Sequence, residues 1–360
     1  MKRFTPQRHL DAMRAKSTMN EVAVEAGVSL GTVSKVFNGN STVSPERRER
    51  VVAAADRLKY QRNRIAASLR SRQTRTVGIV VPDILNTFYG ALVEKLENLA
   101  SASGYTVMIV TAGEDPDRSC ERARMLKENQ VDGMIVIPSL DGSERLMSEI
   151  GSGLPCVIAD RISAKNPFPS VATDNFEAAY QGAKYLLSLG HRHIVFAANI
   201  PRLWNTQERI AGFERAIRER KIKPSVRIVG MTVEEARKSI ESLLNEKERP
   251  TAIFASNNLV TLGAVSAMHD CSIEVPNQMS FLAFDDFEWL KLLRPAVSAV
   301  AQPIDQIAVE VWRLMSHQLN GLRIANPHVR AGGQLIVRQS TGKAPYPIIK
   351  ARSSMSRSRA

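Results

Sequence analysis

At 360 residues the chain is too long for one ordinary hydrophobic core and calls for two or three domains. Hydrophobic residues make up 44%, enough for packed cores and too many for disorder. The formal net charge of +13 is uneven: residues 1–76 carry +10, residues 77–340 carry −2 and residues 341–360 carry +5. A polyanionic partner, nucleic acid or a membrane surface, is therefore expected at the head and not across the body. No apolar run is long enough for a transmembrane helix, and the first residues lack the apolar stretch of a secretory signal. Cys120, Cys156 and Cys271 form no CxxC pair. That pattern fits a reducing cytoplasm and speaks against a disulfide scaffold or structural zinc.

Residues 1–17 are polar and basic and read as a mobile extension. Thr18 followed by Glu21 is a capping box, and apolar residues at Met19, Val22, Ala23 and Ala26 give a first helix that Gly27 stops. Ser29 reads as the next N-cap, with Val33, Val36 and Phe37 on the buried face of a second helix. Ser44-Pro45 opens a third helix that runs to about Lys59. The tight turn between the first two helices is a helix-turn-helix arrangement.

From Arg75 the pattern changes to apolar runs alternating with amphipathic stretches. Strands are expected at 77–81, 107–110, 134–137, 156–159, 194–197, 227–229, 252–255, 280–284, 297–300 and 334–337. Helices are expected at 89–103, 120–129, 143–150, 176–189, 208–220, 233–244, 259–269 and 303–319. This is α/β grammar with parallel strands, long enough for two sheets and a cleft.

Several stretches resemble the LacI/GalR family of transcriptional regulators: VAVEAGVSLGTVSKVFNG at 22–39, VSPERRER at 43–50, and LKY at 58–60 in the head. In the body the matching stretches are TVGIVVPD at 76–83, QVDGMIV at 130–136, ERIAGF at 208–213, TAIFASN at 251–257 and FDD at 284–286. They follow the family's order over about residues 18–342. The resemblance implies an all-α helix-turn-helix head at 18–60, a hinge helix at 61–75, and a two-lobed, periplasmic-binding-protein-like α/β body at 76–342. It leaves a basic tail at 343–360 outside the match. It implies a homodimer, with a tetramer left open, on a pseudo-palindromic double-stranded operator, and a small effector, a sugar or sugar derivative by default, held between the lobes. By the same analogy lobe one takes roughly 77–173 plus 302–325, and lobe two 174–298 plus 328–342.

The second helix is expected to present Leu30, Gly31, Ser34 and Lys35 to base edges, with Thr32 and Asn38 beside them. Thr18, Ser29 and Asn38 read equally as helix caps and as phosphate contacts. The segment RNRIAASLR at 62–70 supplies Arg64 for phosphates. By resemblance Leu69, with Ala66 nearby, is the wedge that enters a minor-groove step.

Ligands bind at strand ends of open α/β sheets, and the residues there include carboxylates, amides, an arginine and aromatics, which suit polyols. By resemblance Arg209 and Asp285 are the foremost effector contacts, then Asn257. Asp160, Asp174, Phe88 and Tyr89 are further candidates, the two aromatics reading equally as core. The family's Asn-Asp after that strand is Asn257-Asn258 here, which removes a carboxylate. No GxSxG, GxxxxGK[ST], HExxH or GxGxxG motif is present, so neither an enzyme nor a cofactor is expected. His191 and His193 read as turn residues and not as metal ligands. A solute-binding protein of a transporter fits the body but not the head, and a sugar-acting enzyme lacks any acid/base pair.

Overall fold

The computed structural model describes residues 17–37, 42–60, 73–140, 143–163, 166–325 and 327–345. The expectations for residues 1–16, Asn38, the 61–72 part of the hinge with Arg64, Ala66 and Leu69, and the tail beyond residue 345 lie outside them. Chain contacts divide the molecule at Thr74/Arg75 into a head and a body.

In the head, α1 (Met19–Ala26), α2 (Leu30–Phe37) and α3 (Pro45–Arg57) follow the cap signals. Thr18 Oγ1 accepts from the Glu21 amide, and Glu21 reaches back to the Thr18 amide at 2.7 Å. Gly27 ends α1 at φ 61, a left-handed position that favours glycine. Ser29 Oγ accepts from the Thr32 amide at 3.3 Å, as expected of an N-cap. Ser44 differs: it precedes Pro45 at the helix start, but its side chain makes no cap bond. The head core consists of Val22, Ala23, Ala26, Val33, Val36, Val51, Ala54 and Ala55. Such small side chains bury little area per residue, so the head is thinly stabilised.

The body holds two six-stranded sheets. The first sheet orders β2 (Thr106–Thr111), β1 (Thr76–Val81), β3 (Gly133–Val136), β4 (Cys156–Ala159), β5 (Ser170–Thr173) and β11 (His328–Ala331), all parallel. The second orders β7 (Ser225–Ile228), β6 (Ile194–Ala198), β8 (Ala252–Ala255), β9 (Ser280–Phe284), β10 (Ser298–Ala301) and β12 (Gln334–Ile336), with only β12 antiparallel to its neighbour. Central strands are buried on both faces, which is why they read as unbroken apolar runs. The helices of lobe one are α4 (Thr87–Ala102), α5 (Pro116–Glu128), α6 (Ser143–Ile150) and α12 (Ile304–Leu319). Those of lobe two are α7 (Asn175–Ser188), α8 (Trp204–Glu219), α9 (Val233–Leu244), α10 (Asn258–Asp270) and the short α11 (Glu288–Leu292).

Two expectations need correction. The sequence pattern gives no strand at β5 or β11, and the analogy assigns residues 328–342 to lobe two. β11 instead pairs with β5 in the first sheet, His328 opposite Ser170, so the chain stays in lobe one through Ala331. The last crossing is the Gly332-Gly333 pair that precedes β12. The crossings therefore follow β5, β10 and β11.

Candidate functional site

The exposed side of α2 carries Ser29, Leu30, Gly31 and Lys35, with Thr32 and Ser34 half-buried. Leu30 is an exposed large apolar side chain at the helix start, where base-edge contacts are made in helix-turn-helix proteins. At Gly31 a Cβ would meet only Ser29 Oγ, at 3.9 Å, so nothing in the fold demands glycine there. Thr18 and Ser29 are exposed caps whose oxygens face backbone amides of their own helices. Ser29 Oγ also pairs with Thr32 Oγ1 at 3.0 Å.

In the body a cleft of about 240 Å³ lies where the carboxyl ends of both sheets converge. Its residues follow β1 (Asp83), β2 (Glu114), β4 (Asp160, Arg161), β6 (Asn199), β8 (Asn257), β9 (Asp285) and β10 (Gln302). Phe88 and Tyr89, at the start of α4, belong to the lobe-one core and also line the cleft. These two aromatics are therefore core residues that also face the cleft.

The strand order 2-1-3-4-5 repeats in the two lobes, which makes β4 and β9 equivalent. Each is followed by an aspartate with left-handed backbone, Asp160 at φ 62 and Asp285 at φ 77. Such positions are uncommon for residues other than glycine and are found at binding sites. The two carboxylates thus enter the cleft from opposite lobes.

Arg209 comes from α8. Its Nε donates to Asn175 Oδ1 at 2.8 Å and its Nη1 to the Ser256 carbonyl at 2.7 Å. Its guanidinium carbon lies 3.7 Å from the centre of the Phe284 ring, a cation–π stack. Burial lowers the Arg209 pKa from its usual value, with Asp285 acting in the opposite sense. Burial likewise raises the Asp285 carboxyl, against the pull of Arg209 and Gln302. Gln302 Nε2 donates to Asp285 Oδ1 at 2.6 Å, and the Asn258 amide adds a second donor.

In lobe one Tyr89 donates to Asp160 Oδ2 at 3.2 Å. Burial pushes the Tyr89 phenol up, so it stays protonated at neutral pH. Arg161 grips Glu114 with two bonds, at 2.7 and 2.8 Å. Asp160 Oδ1, Arg161 Nε and Asn258 Oδ1 are buried without a hydrogen-bond partner.

Of the residues expected from sequence, Phe88, Tyr89, Asp160, Arg209, Asn257 and Asp285 line the cleft. Asp174 does not: its carboxylate caps α7, accepting from the Glu177 amide at 3.0 Å. Asn257 both lines the cleft and caps α10, through Val260 at 3.0 Å. Trp204 is outside the lining, and Trp289 packs against the cores of both lobes. Glu114, Asn205, Thr206 and Gln302 were missed. Glu114 and Gln302 both follow strands, so the strand-end rule applied to every strand would have found them.

The chain matches a model of bacterial regulatory proteins of the lacI family over residues 18–63. It matches a periplasmic binding protein-like domain over residues 183–341. Catabolite control protein A of Priestia megaterium is 31% identical over 328 residues, covering 90% of this chain and 99% of that protein. The transcriptional regulator DegA of Bacillus subtilis is 30% identical, covering 91% of this chain and 98% of that one. The lac repressor dimer bound to operator and an anti-inducer matches in fold with a TM-score of 0.82 at 24% identity, covering 91% of this chain and 99% of that one.

Proposed function

The chain belongs to the lacI family of bacterial regulatory proteins, and we propose from that premise that it represses transcription by binding operator DNA under the control of a small ligand. The observation that carries this is the union, in one chain, of a capped helix-turn-helix with an exposed α2 face and a two-lobed cleft walled by Asp160, Arg209 and Asp285. A polyol between the lobes would donate hydroxyl protons to the two carboxylates and accept from Arg209. Asn257 and Tyr89 sit within the same lining. At the DNA, Lys35 and Ser34 would reach base edges or phosphates and Leu30 a thymine methyl, while Gly31 reads nothing. Thr18, Ser29, Thr32 and Asn38 would fix the head on phosphates. In the hinge sequence Arg64 would neutralise phosphate, with Ala66 and Leu69 at the minor groove.

A homodimer on a two-fold operator follows from the same reading, and the lac repressor dimer on operator, similar in fold, pictures such an arrangement. The ligand alters operator affinity by favouring one arrangement of the lobes. A transporter's solute-binding protein would need the cleft alone, and the head has no place in that role. No helix among the described residues is long and apolar enough to cross a membrane.

The test is fluorescence anisotropy of the full chain on DNA from upstream of its own gene and on a scrambled duplex. Binding to the cognate duplex should be tighter by at least about a thousandfold at physiological salt. Its affinity should fall steeply, roughly 10³-fold or more between 50 and 200 mM salt, as phosphates regain counterions. Equal affinity for both duplexes at moderate salt refutes sequence-specific repression.

A further inference from the structure

The cleft takes the carboxyl ends of both sheets, so the strand starts of lobe two form the pole of that lobe turned away from it. Strands β7, β6 and β8 are neighbours and parallel there. The loops that feed them therefore lie side by side, across about 10 Å of sheet. They carry Arg220, Lys221 and Lys223 before β7, Arg192 before β6, and Lys247 and Arg249 before β8. All six are exposed, and none makes an ion pair or a side-chain hydrogen bond among the described residues. Of the carboxylates in these loops, Glu246 is taken by Arg227, and Glu248 is unpaired. Glu274, on the loop into β9, is the other exposed carboxylate nearby without a basic partner.

Cations at helix C-termini are ordinarily explained by the helix dipole, and α7, α8 and α9 all end at this pole. The first lobe shows that the dipole does not demand them. It has the same strand order, and its equivalent loops, 103–105, 73–75 and 128–132, hold Arg75 against Glu128 and Asp132. Their net charge is −1, against +4 for loops 220–224, 190–193 and 245–251 of lobe two. The fold is shared and the charge is not.

The pole is also firmly built. Buried His191 meets Thr251, Ser280 and the Gly342 carbonyl, which ties the loops into β6, β8 and β9 to the end of the body. The Ala344 amide donates to the Leu189 carbonyl at 2.9 Å, so the exposed Lys343 joins the same surface. The sequence that follows adds Lys350, Arg352, Arg357 and Arg359 and no carboxylate.

We propose that this pole is a second, sequence-independent DNA site that holds the phosphate backbone of a duplex. What the surface lacks selects this partner among polyanions. No large apolar side chain of these loops is exposed, and Ile222 packs against the lobe-two core. Protein partners need aromatic or apolar anchors, single strands need stacking rings, and membrane surfaces need inserted apolar groups. A duplex backbone asks only for spaced cations. On the operator-binding reading, one molecule could then bridge its operator to a second DNA segment. The pole itself does not depend on that reading.

The experiment is a sandwich assay with the full chain. Immobilised DNA from upstream of its own gene is loaded with protein, and a labelled scrambled duplex is added at 50 mM salt. The wild-type protein should capture the second duplex and release it as salt rises. The variant Arg192→Gln/Lys223→Gln/Arg249→Gln, with one change in each loop, should keep its melting temperature and its upstream-DNA affinity yet lose the capture. In solution anisotropy on the scrambled duplex, the slope of log affinity against log salt should become shallower by about 1 for each cation removed. That arm needs no operator, so it tests the pole even where upstream DNA is not recognised and the regulator reading fails. No capture at 50 mM salt overturns the proposal. So does capture that the variant retains with an unchanged salt slope, which would assign the second duplex to the heads. Poly-glutamate or anionic phospholipid vesicles retained in place of the duplex would also overturn it, giving the pole to an acidic protein or a membrane.

Discussion

Asp160 and His191 show how differently a buried polar side chain is treated inside and outside the cleft. Asp160 keeps an unmet acceptor, whereas His191 is fully satisfied. Its Nδ1 lies 2.9 Å from Thr251 Oγ1, and its Nε2 lies 3.0 Å from Ser280 Oγ and 3.1 Å from the Gly342 carbonyl. The ring thereby fastens the entrances of β8 and β9 to the end of the body, the turn role that its sequence context implied. Burial lowers its pKa from 6.5, with the Gly342 carbonyl acting the other way. The unfolded chain therefore binds a proton at a higher pH than the folded one. The contribution of His191 is whole above its unfolded value and is lost as pH falls from there through the depressed folded value. The melting temperature should thus drop on acidification between about pH 7 and pH 5. His191→Gln should show a shallower drop over that window. An unchanged slope in the variant would remove His191 from the acid response.

Among the elements, α7 and α8 make the closest approach that the glycines reveal. A Cβ at Gly212 would stand 2.1 Å from the Phe176 carbonyl oxygen and 3.1 Å from the Tyr180 amide nitrogen. Backbone cannot step aside as a side-chain tip can, so Gly212→Ala must push the helices apart. The expected cost is about 1–3 kcal/mol, read as a lower midpoint in urea unfolding. Gly31→Ala is the matched control, because its Cβ would meet only Ser29 Oγ, at 3.9 Å, and alanine is the better helix former by roughly 0.5–1 kcal/mol. Equal losses in the two variants would contradict the close-packing account. The Gly212 contact was invisible in the sequence because it joins residues 36 positions apart in separate helices. What depends on neighbours along the chain was legible. The capping box at Thr18 and Glu21, the stop at Gly27 and the apolar run of β1 all stand where the sequence puts them. β5 escaped because Ser-Val-Ala-Thr offers only a diluted apolar signal. β11, with His328 and Arg330 among its residues, carries no strand signal and takes its lobe from pairing with β5. The cleft was legible wherever a motif ended a strand, as at Asp285. Asp174 lies outside the cleft lining and caps α7, since an aspartate after a strand is equally an N-cap.

At the scale of the whole body, the cleft is tied to the segments that join the lobes. Asp285 accepts from Gln302, which lies just past β10 where the chain crosses to α12. Gln302 Oε1 in turn accepts from Thr173 Oγ1 at 2.5 Å, at the end of β5 and the first crossing. Phe287, which follows the Asp285 turn, packs into the core of lobe one, and Arg330 of β11 pairs with Glu208 of α8 at 2.9 Å. A ligand that engages Asp285 therefore pulls on the same side chain that links two of the three crossings. A ligand that closes the lobes through Asp285 would then shift the crossing geometry as well, the coupling that a two-state element biased by one site requires. Gln302→Ala cuts this chain of contacts but leaves Arg209, Asp160 and Tyr89 in place. It removes one donor from a buried carboxylate, so ligand affinity should fall by roughly tenfold. The ratio of operator affinities with and without saturating ligand should shrink beyond that, because saturation cancels the affinity loss but not the lost linkage. Both quantities come from one anisotropy titration, with the ligand that stabilises the wild-type protein most. A variant that binds ligand more weakly yet keeps the full ratio at saturation would confine Gln302 to binding and leave the coupling to the Phe287 and Arg330 contacts.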